Sequence, residues 1–207
     1  MHELWAVAVI TILAVISPGP DFAMVTRNSY AFGKSAGLFC ALGIGFGVQV
    51  HVIYTVFGIS AVILQSPGWF WVLKSIGAAY LVWMGYQSWR SHPLPKPNGT
   101  ENNAVPERKP SPWNAFCMGF FTNALNPKTM LFVVATYTQV VRADAPLALH
   151  FAYGLFMSLA HVLWFAAVAV FFAHPAMRDR LLARQKGVDR AIGLALMLLG
   201  GWLLWTA

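Results

Sequence analysis

The chain has 207 residues, of which 58% are apolar and only 10% charged, with nine tryptophans and a formal net charge of +7. Such a composition excludes an ordinary soluble globular domain. It also shows no His, Cys and carboxylate cluster with metal-ligand spacing, no G-x-S-x-G elbow and no phosphate-binding glycine loop before a lysine, so enzyme chemistry and a cofactor find no support.

A helix needs about 20 mainly apolar residues to cross a hydrocarbon core of roughly 30 Å. Six stretches qualify, at 4–26, 37–64, 68–90, 114–141, 147–174 and 188–206, which predicts an all-α membrane protein with six transmembrane helices. No Lys or Arg precedes Arg27, so the first segment lacks the basic region of a signal peptide and is expected to stay attached. That segment is interrupted by S-P-G-P-D at 17–21. Helix 2 carries glycines at 37, 43, 45 and 47 and helix 3 at 77 and 85, spacings that permit close helix packing. The glycines of helices 3 and 6 also leave a homodimer face open. Residues 91–112, rich in proline and polar side chains, read as an exposed linker. The N-G-T at 98–100 fits a glycosylation pattern that also arises by chance. Helix 4 is interrupted in turn by A-L-N-P-K at 124–128. Cys40 and Cys117 fall in apolar segments and read as small core residues.

The basic charge has a placement that argues against nucleic acid. Of the 14 Lys and Arg residues, eleven fall between helices 1 and 2, near the linker, or between helices 5 and 6. All three regions share one side of a six-helix topology, which the positive-inside rule makes cytoplasmic. The linker is then cytoplasmic and both termini lie outside, in a multi-pass membrane protein.

Short motifs repeat in order. S-P-G-P-D in helix 1 aligns with A-L-N-P-K in helix 4, H-V-I-Y at 51–54 with H-V-L-W at 161–164, and I-G-x7-G-x3-W from Ile76 to Trp89 with the same pattern from Ile192 to Trp205. Each unit has three helices, so the second crosses in the opposite sense to the first. The expected organisation is two inverted repeats, 1–90 and 113–207, joined by the linker 91–112. Inverted repeats are characteristic of secondary transporters, whose sites lie where discontinuous helices of the two halves meet.

Proline inside a helix lacks an N–H and clashes with the carbonyl four residues back. Pro18 and Pro20 are expected to free the carbonyls of Ala14 and Ile16, and Pro127 that of Asn123, which hydrocarbon tolerates only beside a polar cavity. A new half-helix follows each break, with Pro20 or Pro127 as first residue and Gly19 or Asn126 as cap. Asp21 complements the helix dipole there, so a purely capping carboxylate is one reading. Lys128 opposes the dipole and costs about 2.5–3.5 kcal/mol inside a membrane even on the lenient insertion scale, which favours a functional role. The two are read as the only carboxylate and ammonium well inside the predicted spans, facing each other across the pseudo-symmetric centre and able to pair when empty. An amino acid brings one group of each charge, the ammonium suiting Asp21 and the freed carbonyls, the carboxylate suiting Lys128 and a half-helix N-terminus. His51 and His161 occupy repeat-equivalent positions and are candidates, with Asp21, for moving protons; neutral, bundle-bonded histidines are the alternative. Gln49, Asn123 and Asn126 read as polar wall residues.

At these residues the sequence resembles the LysE/RhtB family of bacterial amino-acid exporters. The resemblance rests on S-P-G-P-D-F at 17–22, the G-x3-A-L-G-I-G-F-G-V run from Gly37 to Val48, Y-L-V-W-M-G-Y-Q at 80–87 and F-x-T-N-x-L-N-P-K at 120–128. W-M-G-Y-Q and H-P-A-M-R-D-R at 174–180 are most similar to the threonine and homoserine exporter branch. The resemblance implies efflux of amino acids driven by the proton-motive force, with no soluble cofactor. It places the family's motif positions at Pro18, Gly19, Pro20, Asp21, Asn123, Asn126, Pro127 and Lys128. The partners expected are therefore a small neutral amino acid, protons and the lipid bilayer. An exporter of another solute or a cation, or a non-transporting membrane subunit, stays as the alternative.

Overall fold

A computed structural model of the chain describes residues 2–65, 67–90, 109–139, 141 and 145–205. Among them all regular structure is helical: α1 (His2–Ile16), α2 (Pro20–Phe32), α3 (Lys34–Gln65), α4 (Pro67–Arg90), α5 (Pro112–Ala124), α6 (Pro127–Gln139), α7 (Leu147–Phe172) and α8 (Pro175–Trp205). Most of the expected linker, 91–108, lies outside the described residues. Its end is visible at Ser111, whose hydroxyl caps α5 by accepting from the Asn114 N–H at 3.1 Å.

Both sequence interruptions break helices. The α1 ladder ends where Ser17 N–H reaches Leu13 O at 3.1 Å, since Pro18 has no N–H to continue it. Gly19 is extended, and α2 restarts at Pro20 with its axis bent 53° from that of α1. In the second half α5 ends at Ala124 and α6 starts at Pro127, with the Asn126 side chain accepting from the Lys128 N–H at 3.0 Å.

Helix extents differ from the sequence expectation in two places. The first segment does not end at 26. Its polar stretch stays helical to Phe32, because the Thr26 and Ser29 hydroxyls return to the carbonyls of Phe22 and Val25 at 2.8 and 2.7 Å and hide their polarity. Only Gly33, with φ 90°, then separates α2 from α3, a left-handed corner suited to glycine. The last helix starts at Pro175 and not at 188. Proline favours the first helical position, and the Arg, Leu, Ala, Gln and Lys residues that follow are good helix formers. The basic run from Arg178 to Arg190 is thus the first half of α8, not a loop.

Six independent spans do not emerge from length and apolarity. Among the described residues, Lys34–Gly58 of α3 and all of α7 are long and apolar enough to cross a membrane, and the bent pair α1–α2 makes a third. Large apolar side chains such as Phe46, Leu163, Leu198 and Trp205 are exposed, as expected of a lipid-facing surface.

Packing is closest between α3 and α5, α4 and α8, and α3 and α7. Glycine allows the first two. A Cβ at Gly43 would collide with the Phe116 carbonyl of α5, and one at Gly119 with the Cys40 carbonyl of α3. Gly85 and Gly193 meet backbone to backbone where α4 crosses α8. The glycines of the fourth and eighth helices are therefore used mainly inside the bundle; Gly77 is also covered, by Ala135, while Gly201 faces open space. One core cluster gathers Val7, Ile10, Val52, Leu81, Phe132 and Leu196, and a second gathers Val25, Cys40, Ile44 and Phe165.

Candidate functional site

The breaks meet in the interior, and each charge is held by the break of the other half. Asp21, in the first turn of α2, is 6% exposed. Its Oδ2 accepts from Asn123 Nδ2 at 2.8 Å, Asn126 Nδ2 at 3.1 Å and the Thr129 hydroxyl at 3.3 Å. Lys128, second residue of α6, sends its Nζ to the carbonyl oxygens of Ser17 at 2.5 Å and Pro18 at 3.1 Å. The hydrogen bonds of the two groups thus do not run between them, and the expected direct pair is replaced by this crossed arrangement. The reason is geometric. Broken backbone supplies acceptors for an ammonium at the first interruption, and side-chain amides supply donors for a carboxylate at the second.

The freed carbonyls behave accordingly. That of Asn123 accepts from His51 Nε2 at 2.8 Å and from the Asn126 N–H at 2.8 Å. At the first break the carbonyls that Lys128 holds are those of Ser17 and Pro18, not the Ala14 and Ile16 carbonyls that the prolines were expected to free. The Asp21 Oδ1 and Asn123 Oδ1 atoms are buried and have no hydrogen-bond partner. A buried acceptor left bare costs about 1–3 kcal/mol, more when charged, so these two atoms mark where a donor belongs.

Two cavities flank the breaks and share Ser17, Gly19, Asn126 and Lys128. The smaller, about 20 Å³, is lined by Asp21, Thr129, Phe132, His161 and Phe165, enough room for about one water. The larger, about 460 Å³, lies between the breaks and one face of α4, within the size range of small-molecule sites. Between them runs the Lys128 side chain, lying against Gly19 so closely that a Cβ there would be 3.1 Å from its Cδ and 3.3 Å from Nζ.

The histidines are not equivalent. His51 uses both ring nitrogens, with Nε2 donating to Asn123 O and Nδ1 facing the Tyr54 hydroxyl at 2.6 Å. A carbonyl only accepts, so Nε2 carries the proton and neutral Nδ1 accepts from Tyr54. His161 donates from Nδ1 to Met157 O at 2.8 Å and lines the small cavity beside Asp21 and Lys128. Gln49 does not line either cavity; its amide joins α3 to α7 through Gly154 O at 3.0 Å and Ser158 Oγ at 2.6 Å. Pro18, Pro20 and Pro127 border the large cavity, and Asn123 sits behind both, fully buried.

Sequence reasoning missed two groups. Asp189 of α8 is 4% exposed, beside the Ser88 hydroxyl that donates to its backbone carbonyl at 2.9 Å, so Asp21 is not the only interior carboxylate. Its position at the expected edge of the last span disguised it. Tyr80, on the α4 wall, opens the Y-L-V-W-M-G-Y-Q run that carries the resemblance, but the motif alone assigns it no part in the site. The donor set does not suit a metal: the carboxylate is already surrounded by N–H and O–H donors, and among the described residues no group of three or more His, Cys, Asp or Glu side chains stands together.

An apolar helical bundle with a charge-complementary polar centre at two broken helices is the architecture of a membrane protein. Residues 12–206 match the family of LysE type translocators, and the chain belongs to that family of transport proteins, which are not enzymes. It is 29% identical to the threonine efflux protein of Salmonella typhimurium, over 93% of each chain. To the homoserine/homoserine lactone efflux protein of the same organism it is 25% identical, over 97% of this chain and 96% of that one. An uncharacterized membrane protein of Bacillus subtilis, YrhP, is 30% identical over 80% of both. No solved structure matches.

Proposed function

We propose that this protein is a secondary exporter of small neutral amino acids of the threonine and homoserine kind, working by alternating access between two inverted three-helix halves, 1–90 and 113–207, in exchange for protons. The observation that carries the reading is the crossed site. An Asp21 carboxylate with a bare Oδ1 and a Lys128 ammonium stand at opposed half-helix starts, complementary to the ammonium and carboxylate of one amino acid. Six spans follow if each broken pair, α1–α2 and α5–α6, counts as one. The names of the efflux relatives agree with this substrate class.

Alternating access needs two halves that are related yet differently packed at any one time. Here α3 packs against α5 far more extensively than its repeat counterpart α7 packs against α1. Asp21 and His161 share the small cavity and are assigned the proton, with Lys128 as the facing charge. His51, with both ring nitrogens bonded, is assigned to holding the second break.

The test is accumulation of labelled threonine in inside-out membrane vesicles with an acidic lumen, a gradient that drives solute inward against outgoing protons. Wild-type vesicles are expected to accumulate threonine, and Asp21→Asn and Lys128→Met vesicles with equal protein are not. Wild-type vesicles that accumulate none of a panel of small amino acids, with another protein stably co-purified, would favour the non-transporting subunit instead.

A further inference from the structure

The larger cavity carries an assignment that neither the sequence motifs nor the relatives' names make. Its far wall is α4, contributing Tyr80, Trp83, Met84 and Gln87. Tyr80 is 8% exposed and its ring lies 5.3 Å from that of Trp83, yet its hydroxyl is buried without a hydrogen-bond partner. Buried tyrosine hydroxyls usually find one. The near wall holds the Lys128 ammonium and the Asn126 amide. One cavity of amino-acid size therefore has an anion-binding group on one side and, in the opposite wall, a tyrosine beside a tryptophan ring whose unpartnered hydroxyl is buried within that wall, so a substrate must part the wall to reach it.

We infer that this cavity is where the transported amino acid first binds, with its carboxylate on Lys128 and its side-chain hydroxyl on the Tyr80 hydroxyl. The inference rests on the exporter reading above and adds to it the residue that selects the side chain. Lys128 borders both cavities, so a carboxylate arriving in the large one draws the ammonium from the Ser17 and Pro18 carbonyls. Its side chain then leaves Gly19, and the passage to the bare Asp21 Oδ1 is free for the substrate ammonium. Orientation agrees: by the positive-inside rule the C-terminal end of α4, with Gln87 and Arg90, faces the cytoplasm, the compartment from which an exporter loads. A site that hydrogen-bonds a substrate hydroxyl discriminates against the analogue lacking it, because its own polar group is then left unpaired.

Threonine and valine have nearly the same shape and differ at that hydroxyl, and Tyr80→Phe removes only the opposing oxygen. In the inside-out vesicles, wild type is expected to prefer threonine to valine in kcat/KM, and Tyr80→Phe to lower that ratio about tenfold, chiefly through the KM for threonine. Purified Tyr80→Phe is expected to melt no lower than wild type, since a hydroxyl with no partner is removed, and to lose the rise in Tm that threonine gives wild type. A threonine to valine ratio unchanged in Tyr80→Phe overturns the assignment of Tyr80, whether neither value falls or, as a second result, both fall equally. A cavity filled by lipid gives the first of these results. Wild-type vesicles that move neither amino acid overturn the exporter reading itself, and this inference with it.

Discussion

Asn123 is the residue on which the crossed site can be tested most directly. Replacing it with alanine removes a 2.8 Å hydrogen bond to the buried Asp21 carboxylate and a 3.1 Å bond to the Thr129 hydroxyl, while its backbone carbonyl still accepts from His51. A hydrogen bond to a charged group contributes about 1.5–3 kcal/mol and a neutral one about 1 kcal/mol. The bare Oδ1 leaves with the side chain and offsets part of this, so the expected net loss is about 1–2 kcal/mol, which for a chain of this size lowers Tm by roughly 2–8 °C. The assay is thermal unfolding of purified protein in detergent, run as a double-mutant cycle with Asp21→Asn. Asparagine at 21 keeps an oxygen for the donors but removes the charge, so about half of the hydrogen-bond strength goes. Asn123→Ala should then cost less in that background, with a coupling of about 1–2 kcal/mol. Effects that add to within about 0.5 kcal/mol would refute the reasoning, because two groups joined by a charge-assisted bond do not act independently.

Asp21→Asn alone is expected to lower Tm, because its three donors bond a neutral amide more weakly and Lys128 loses its facing charge, and to slow gradient-driven threonine movement by about tenfold to a hundredfold; vesicle uptake and melting of one preparation measure both. His161→Gln should keep threonine exchange across vesicles without a gradient but lose accumulation driven by an acidic lumen, because exchange needs no net proton movement. Gly43→Ala is expected to cost at least about 3 kcal/mol, seen as loss of folded protein in the membrane, because the Phe116 carbonyl it would strike belongs to helix backbone that cannot turn aside.

What could be read from the sequence was whatever proline and charge announce locally. Pro18, Pro20 and Pro127 forbid a continuous ladder wherever they stand, so the breaks and the new helix starts at Pro20 and Pro127 were legible. Apolar length and small-residue spacing likewise gave the helical bundle and its close crossings. Which group holds which was not legible, because Ser17, Pro18 and Lys128 meet only once two distant segments are folded together. The extent of α2 escaped for a related reason: Thr26 and Ser29 look like loop residues until their hydroxyls are seen bonded within their own helix. Tyr80 stood at the head of a quoted motif, but its role was not legible, since a missing hydrogen-bond partner is a property of surroundings and leaves no trace in residue order.

The single-residue corner at Gly33 bears on how the proposed alternating movement would be passed along the chain. With one glycine between them, and with Gly37 pressed onto the Ser29 side chain, α2 and α3 have almost no slack and must travel as one bent lever. Were the first half to swing as proposed, its pivot would be at Ser17, Pro18 and Gly19, the stretch where Lys128 holds the Ser17 and Pro18 carbonyls. Lengthening the corner by two or three flexible residues would uncouple the arms. Such a chain would be expected to bind its solute as before and yet fail to carry it across.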